Sequence, residues 1–164
     1  MKKVILILNF LFISSLALMA EVQQVVKWNF DKKQLPNNTL ELVFNANIDK
    51  SWHIYGMNIP EGGPVATKIV FEKLEGAEII GTPAASKNPI EKFDDNFSMI
   101  LSYFDNNVDF KQKIKLKEKN NFEILGYVEY MVCNDKTCLA PTKEYFEFKN
   151  EPVKKIISKE NITL

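Results

Sequence analysis

Two cysteines, Cys133 and Cys138, and a single histidine, His53, are the residues of this chain best suited to covalent or proton chemistry. Asn134-Asp135-Lys136-Thr137 separate the cysteines, and all four are polar or turn-prone. That is a hairpin-like connection with a cysteine at each shoulder. Directly opposed residues on antiparallel strands lie about 4.5–5.5 Å apart at Cα, inside the range a disulfide accepts. The bond therefore forms with little movement of the backbone. Its worth as a staple is small: so short a loop contributes roughly 2 kcal/mol in the chain-entropy model, against nearly 5 for a loop of about a hundred residues. Phe122, Ile124, Val128, Tyr130 and Val132 share one parity, the expected core face, whereas Cys133 falls on the other with Glu129 and Met131. A disulfide on a polar, exposed hairpin is open to an incoming thiolate. The chemistry on offer is dithiol–disulfide exchange, with a plain structural bridge as the alternative that spacing leaves open.

Other chemistries find less support. Cys133, Cys138, Met131 and His53 are all soft enough or nitrogenous enough for copper(I), but no paired Met or His spacing accompanies them, and neither a metal nor a cofactor is expected. One histidine and no nucleophile-with-base motif leave hydrolysis without a basis. Lysine plus arginine and aspartate plus glutamate both total 21, so the net charge is zero. Nucleic-acid binding, which rests on neutralising phosphates, is not expected.

The elements that must hold the cysteines are strands. Leu40, Leu42, Phe44, Ala46 and Ile48 alternate with Glu41, Asn45 and Asn47; Val108, Phe110, Ile114 and Leu116 alternate with Asp109, Lys111, Lys113, Lys115 and Lys117. Period two marks half-buried strands. Further strands are expected at Val25–Phe30, Lys68–Leu74, Phe122–Val132 and Tyr145–Phe148. The turn chemistry of Asp105-Asn106-Asn107 predicts a hairpin of Phe97–Phe104 with Val108–Leu116. Pro60-Glu61-Gly62-Gly63-Pro64 is a loop. The lysine stripe at 111–117 reads as a charged outer face that protects a sheet. Some seven short strands predict a single all-β domain, an antiparallel β-sandwich.

The start of the chain reads as an address. Lys2 and Lys3 precede an apolar run from Val4 to Met19, and the small Ala20 precedes Glu21. This is the pattern of a cleavable secretory signal over residues 1–20. The sandwich is expected over 21–148, followed by a polar tail over 149–164 in which Val153, Ile156 and Ile157 have the spacing of a short helix. The mature chain is expected to be soluble and exported, with no membrane insertion.

The stretch Gly126-Tyr-Val-Glu-Tyr-Met-Val-Cys133-Asn-Asp-Lys-Thr-Cys138-Leu-Ala-Pro141 resembles the N-terminal periplasmic domain of the thiol:disulfide interchange protein DsbD family. Trp52-His53-Ile54-Tyr55, then Glu61-Gly62-Gly63-Pro64 with Thr67, and Phe93-Asp94-Asp95-Asn96-Phe97 extend the likeness from about Trp28 to Phe148. The resemblance implies an immunoglobulin-like sandwich in which Cys133 and Cys138 are the redox couple, with Cys138 making the intermolecular bond. It further implies a cap loop, Phe93, Asp94, Asp95, Asn96 and Phe97, that shields the pair until a partner docks. Asp94 matches the family's cap-loop acid, and His53 and Tyr55 match its two active-site tyrosines, so His53 is a substitution. The family's cap phenylalanine falls on Asn96 in an ungapped match, which passes the role to Phe97 ahead of Phe93. Asp94 and Glu129, if close, would hold the thiols protonated. The implied partners are thioredoxin-like periplasmic proteins of the disulfide isomerase or cytochrome c maturation type, and a membrane electron donor acting in trans. Against this stands a non-catalytic binding module with a structural disulfide.

Overall fold

The computed structural model describes residues 24–118, 121–150 and 154–156; the leader expected over 1–20 lies outside them. The described residues contain no helix. The strands are β1 (Val26–Leu35), β2 (Thr39–Ile48), β3 (His53–Tyr55), β4 (Lys68–Glu75), β5 (Ala77–Ala85), β6 (Ile90–Asp94), β7 (Met99–Asp105), β8 (Asn107–Leu116), β9 (Glu123–Tyr130), β10 (Val132–Cys133), β11 (Thr142–Lys149) and β12 (Lys154–Ile156). They pair antiparallel throughout, in three four-stranded sheets ordered β1-β2-β8-β5, β12-β11-β9-β4 and β10-β3-β7-β6.

The first sheet packs its inner face on the other two. Leu42, Phe44, Phe110 and Ile114 from the first sheet share one buried cluster with Ile124, Val128, Phe146 and Phe148 of the second. The third sheet contributes Ile54, Phe104 and Val132 to the same cluster. Aromatic contacts tie the layers: Phe44 meets Phe146 edge-on at 4.9 Å, Trp28 meets Tyr130 at 5.3 Å, and Phe104 meets Phe110 at 5.3 Å. Such pairs add stability beyond the area they bury. The architecture is the expected immunoglobulin-like antiparallel sandwich. Alternation is borne out on β2, β8 and β9, and Lys111, Lys113 and Lys115 face outward from β8.

Gln112 breaks the apolar pattern of β8 because it is buried, donating from Nε2 to the Ile80 and Lys113 carbonyls at 2.9 and 2.8 Å. The β5–β8 register shifts between Ile80 and Ala84, where Gly81 turns through φ 67. A carbonyl that loses its ladder partner at a bulge needs another donor, and the glutamine supplies it.

Three expectations are corrected. β7 does not form a hairpin with β8. It pairs with β3 and β6 in the third sheet, while β8 pairs with β2 and β5 in the first. Asn106, at φ 55, is a corner between layers whose carbonyl accepts from Ile48 N at 2.6 Å. Turn-forming residues fix where a chain changes direction, not which sheet it then enters. Second, β3, β5 and β6 were not expected as strands. The two edge strands among them, β5 and β6, are exposed along almost their whole length and so carry no alternation to read. Third, Lys154–Ile156 is a strand paired with β11 rather than a helical turn; Val153 and Ile157 lie outside the described residues.

Candidate redox site

Sheet three has two working faces. Ile54, Phe104 and Val132 point into the main core, and the alternate residues must point the other way. On that opposite face Tyr55, Leu101 and Cys133 form a second buried cluster, packed by Ile59, Phe97, Met99, Tyr103, Met131 and Cys138. The parity argument for Cys133 therefore holds, but its conclusion changes. Cys133 is completely buried, and Cys138 is half-buried. The expectation of an exposed disulfide is corrected for Cys133 because a second apolar layer covers the face that the main core leaves free.

The two sulfurs are bonded, and the Cα atoms oppose each other as an antiparallel bridge 4.0 Å apart. The connecting turn is built by Asn134. Its Oδ1 accepts from the Lys136 and Thr137 amides, both at 2.9 Å, and its own N–H donates to the Thr137 carbonyl at 2.9 Å. Asn caps a turn in this way because its short side chain reaches backbone two residues on.

The same device is used a second time. β6 and β7 form a hairpin closed by Asp94 opposite Met99. Asp94 Oδ1 accepts from the Asn96 and Phe97 amides at 2.9 and 3.3 Å, and Ser98 takes φ 55 to complete the turn. Asp94 Oδ2 meanwhile accepts from the Tyr55 hydroxyl at 2.8 Å. One carboxylate thus shapes the turn and fastens it to a buried ring. Burial, and then Asp94, push the Tyr55 phenol far above its ordinary range, so it stays a donor. Phe97 descends from this turn to meet Tyr55 edge-on at 5.8 Å, whereas Phe93 is 54% exposed. Asp95 and Asn96 are exposed at the tip.

His53 is directly opposite Cys133 in the β3–β10 register. Its ring stands 5.2 Å from that of Tyr55 and 4.6 Å from that of Tyr103. Burial lowers its pKa below the ordinary 6.5, and Asp94 and Asp135 counter part of that. A cavity of about 50 Å³ separates the two turns, with Asp94, Asp95 and Asn96 on one side, Asn134 and Asp135 on the other, and His53 and Tyr103 between. Glu129 is placed differently. It is flanked in register by Lys68 and Lys143, and its carboxylate lies 3.9 Å from the Lys143 ammonium.

Leu101, Tyr103, Ile59 and Met99 belong to the site but were not singled out from the sequence. Their signal was obscured by assigning β7 to the wrong partner, which hid that Leu101 and Tyr103 face away from Phe104. Thr67 donates from Oγ1 to the Tyr55 carbonyl at 2.6 Å and from its N–H to the Gly56 carbonyl at 3.0 Å. It thereby fixes the strand that carries His53 and Tyr55.

No curated protein matches the chain. The N-terminal domain of DsbD from Neisseria meningitidis, crystallised in the reduced form, is similar in fold with a TM-score of 0.52. It is 14% identical, over 84% of this chain and 94% of that one. The N-terminal periplasmic domain of ScsB from Proteus mirabilis superposes with a TM-score of 0.59 at 15% identity, over 83% of this chain and 51% of that one. The family described as thiol:disulfide interchange protein DsbD, N-terminal, matches residues 19–150, which is most of the sequence and contains every residue of the site above. With its sandwich, its paired cysteines and its match over that span, the chain belongs to the DsbD N-terminal domain family.

Proposed function

We propose that this chain is an exported thiol–disulfide exchange protein of the periplasm, with Cys133 and Cys138 as its working couple. The carrying observation is the unequal burial of the two cysteines: Cys133 is completely buried in the cluster with Tyr55 and Leu101, while Cys138 packs on that cluster at the end of a polar turn and is only partly buried. A donor thiolate attacks Cys138 Sγ, the Cys133–Cys138 bond breaks, and its electron pair leaves on Cys133. A second donor thiol resolves the mixed disulfide, so the donor is oxidised and the pair is reduced. In the forward step Cys138 attacks an oxidised partner and Cys133 resolves that bond in turn. Exchange of this kind depends on thiolate fraction and access. Following the resemblance, the acceptors are thioredoxin-like periplasmic proteins of the disulfide isomerase or cytochrome c maturation type, and the donor is a membrane dithiol protein. Residues 1–20 serve as the leader and 21–148 as the exchanging domain. The turn from Phe93 to Phe97 is the cap, with Phe97 as the shielding ring and Asp94 as its anchor.

A second reading has one observation in its favour. A cysteine buried completely in an apolar cluster is also how a structural bridge is placed, which would make the chain a binding module. The reduction potential separates the two. Equilibration with glutathione buffers, read by alkylation and mass, is expected to give roughly −180 to −270 mV, the range from protein disulfide isomerase to thioredoxin. A value below about −300 mV would assign the bond to structure.

A further inference from the structure

We propose that His53 is the proton donor to Cys133 when the disulfide is opened, and its proton acceptor when the disulfide re-forms. The inference rests on the exchange reading above and adds to it the group that handles the proton. Opening the bond from Cys138 leaves an electron pair on the sulfur of Cys133, which is completely buried among Tyr55, Leu101 and their neighbours. A thiolate there is poorly solvated and must be protonated or matched by a positive charge.

His53 is the residue directly across from Cys133. Directly opposed residues on one face hold their Cβ atoms about 4.5–5.5 Å apart, within reach of a ring. His53 Nε2 is buried and finds no hydrogen-bond partner among the described residues, which leaves that nitrogen free to take up and pass a proton. The ring also borders the cavity of about 50 Å³ between the two turns. A cavity of that size is ample for water, and it offers the half-buried ring a route to the solvent that must supply the proton.

The surroundings set when the ring can carry a proton. Asp94 and Lys92 face it from β6, Asp95 from the cap turn and Asp135 from the cysteine hairpin. Tyr103 and Asp105 face it from β7, Asp49 and Lys50 from the bend before β3, and Tyr55 from its own strand. Asp105 is partly neutralised by Lys87 at 3.5 Å. Burial lowers the ring's pKa and so favours its neutral form, while the carboxylates work against this. Negative charge appearing on Cys133 draws a proton onto the ring, and the imidazolium passes it to Cys133 Sγ. The result is a neutral imidazole, a Cys133 thiol and a mixed disulfide at Cys138, with charge and electrons balanced.

The test is the rate at which N-acetylcysteine opens the disulfide at about pH 5 and about pH 8, the window in which histidine titrates, divided by the thiolate fraction of the reagent. The corrected rate is expected to be about tenfold higher at the lower pH. This is less than the hundredfold at which general acids commonly begin, because a thiolate is already a fair leaving group. In His53→Gln the ratio is expected to fall to about one. His53→Tyr keeps an aromatic ring between Tyr55 and Tyr103 but titrates near pH 10, so it must lose the ratio too. If either folded variant keeps the wild-type ratio, His53 is not the proton donor. A wild-type potential in the exchange range with an unchanged ratio overturns only this inference. A wild-type bond that N-acetylcysteine does not open, with a potential below about −300 mV, overturns both.

Discussion

Cys133 and Cys138 lie 5 positions apart in sequence and differ in burial, one completely buried and one only partly so. That difference comes from a few side chains. Asp94 shapes the β6–β7 turn through two backbone amides and ties it to Tyr55, and Phe97 descends from that turn onto the cluster around Cys133. Phe97→Ala is therefore expected to speed the reaction of the reduced protein with a small disulfide by on the order of tenfold, since the rate follows access to the sulfur. The check is a stopped alkylation series, alongside a urea midpoint to show that the variant remains folded. An unchanged rate would remove Phe97 from the shielding role. Asp94 was legible in the sequence through its place in the Phe93–Phe97 segment. Its bond to Tyr55 was not, because 39 residues separate the two.

At the scale of elements, the site is where two hairpin turns meet over β3: the tip of β6–β7 and the turn between the cysteines. One arm of each turn, β7 and β10, is anchored in the main core on its other face through Phe104 and Val132, so the core positions the chemistry without touching it. β9 is the strand that leads to Cys133, and its placement depends on Gly126. A Cβ at Gly126 would stand 2.0 Å from the Val70 carbonyl oxygen and 2.6 Å from Phe146 Cζ. Neither the β4 backbone nor a ring locked against Phe44 and Phe71 can yield that far. Gly126→Ala is expected to cost about 1–3 kcal/mol, the usual range for overpacking a filled core, measured as a shift of the urea midpoint. A neutral result would mean that β4 and β9 can separate without penalty.

For the whole molecule, the disulfide and the core are nearly independent. The large buried side chains, among them Phe44, Phe110, Phe146 and Phe148, lie in the cluster between the layers, and Cys133 belongs to the smaller cluster outside it. On the exchange reading proposed above, the protein must stay folded in both its oxidised and its reduced form. Reduction is expected to lower unfolding free energy by only roughly 2 kcal/mol, the worth of closing so short a loop. Urea titration of the two forms checks this, and loss of the folded state on reduction would favour a structural bridge.

The sequence by itself determined the strand faces of β2, β8 and β9, because period-two alternation records which side of a strand meets the core. It also determined the cysteine turn, where Asn134 heads four polar residues, and the pairing of the only two cysteines. It placed Cys133 off the main core face correctly. Only the tertiary structure decided that this other face is buried too. Parity distinguishes one side of a strand from the other, but burial on the second side depends on Tyr55, Leu101 and Phe97, which reach it from distant segments. The same holds for β5 and β6. As edge strands exposed over most of their length, with only Ala77 and Ala85 at the ends of β5 reaching the core, they leave no alternation to read, and the strands they pair with make them part of a sheet.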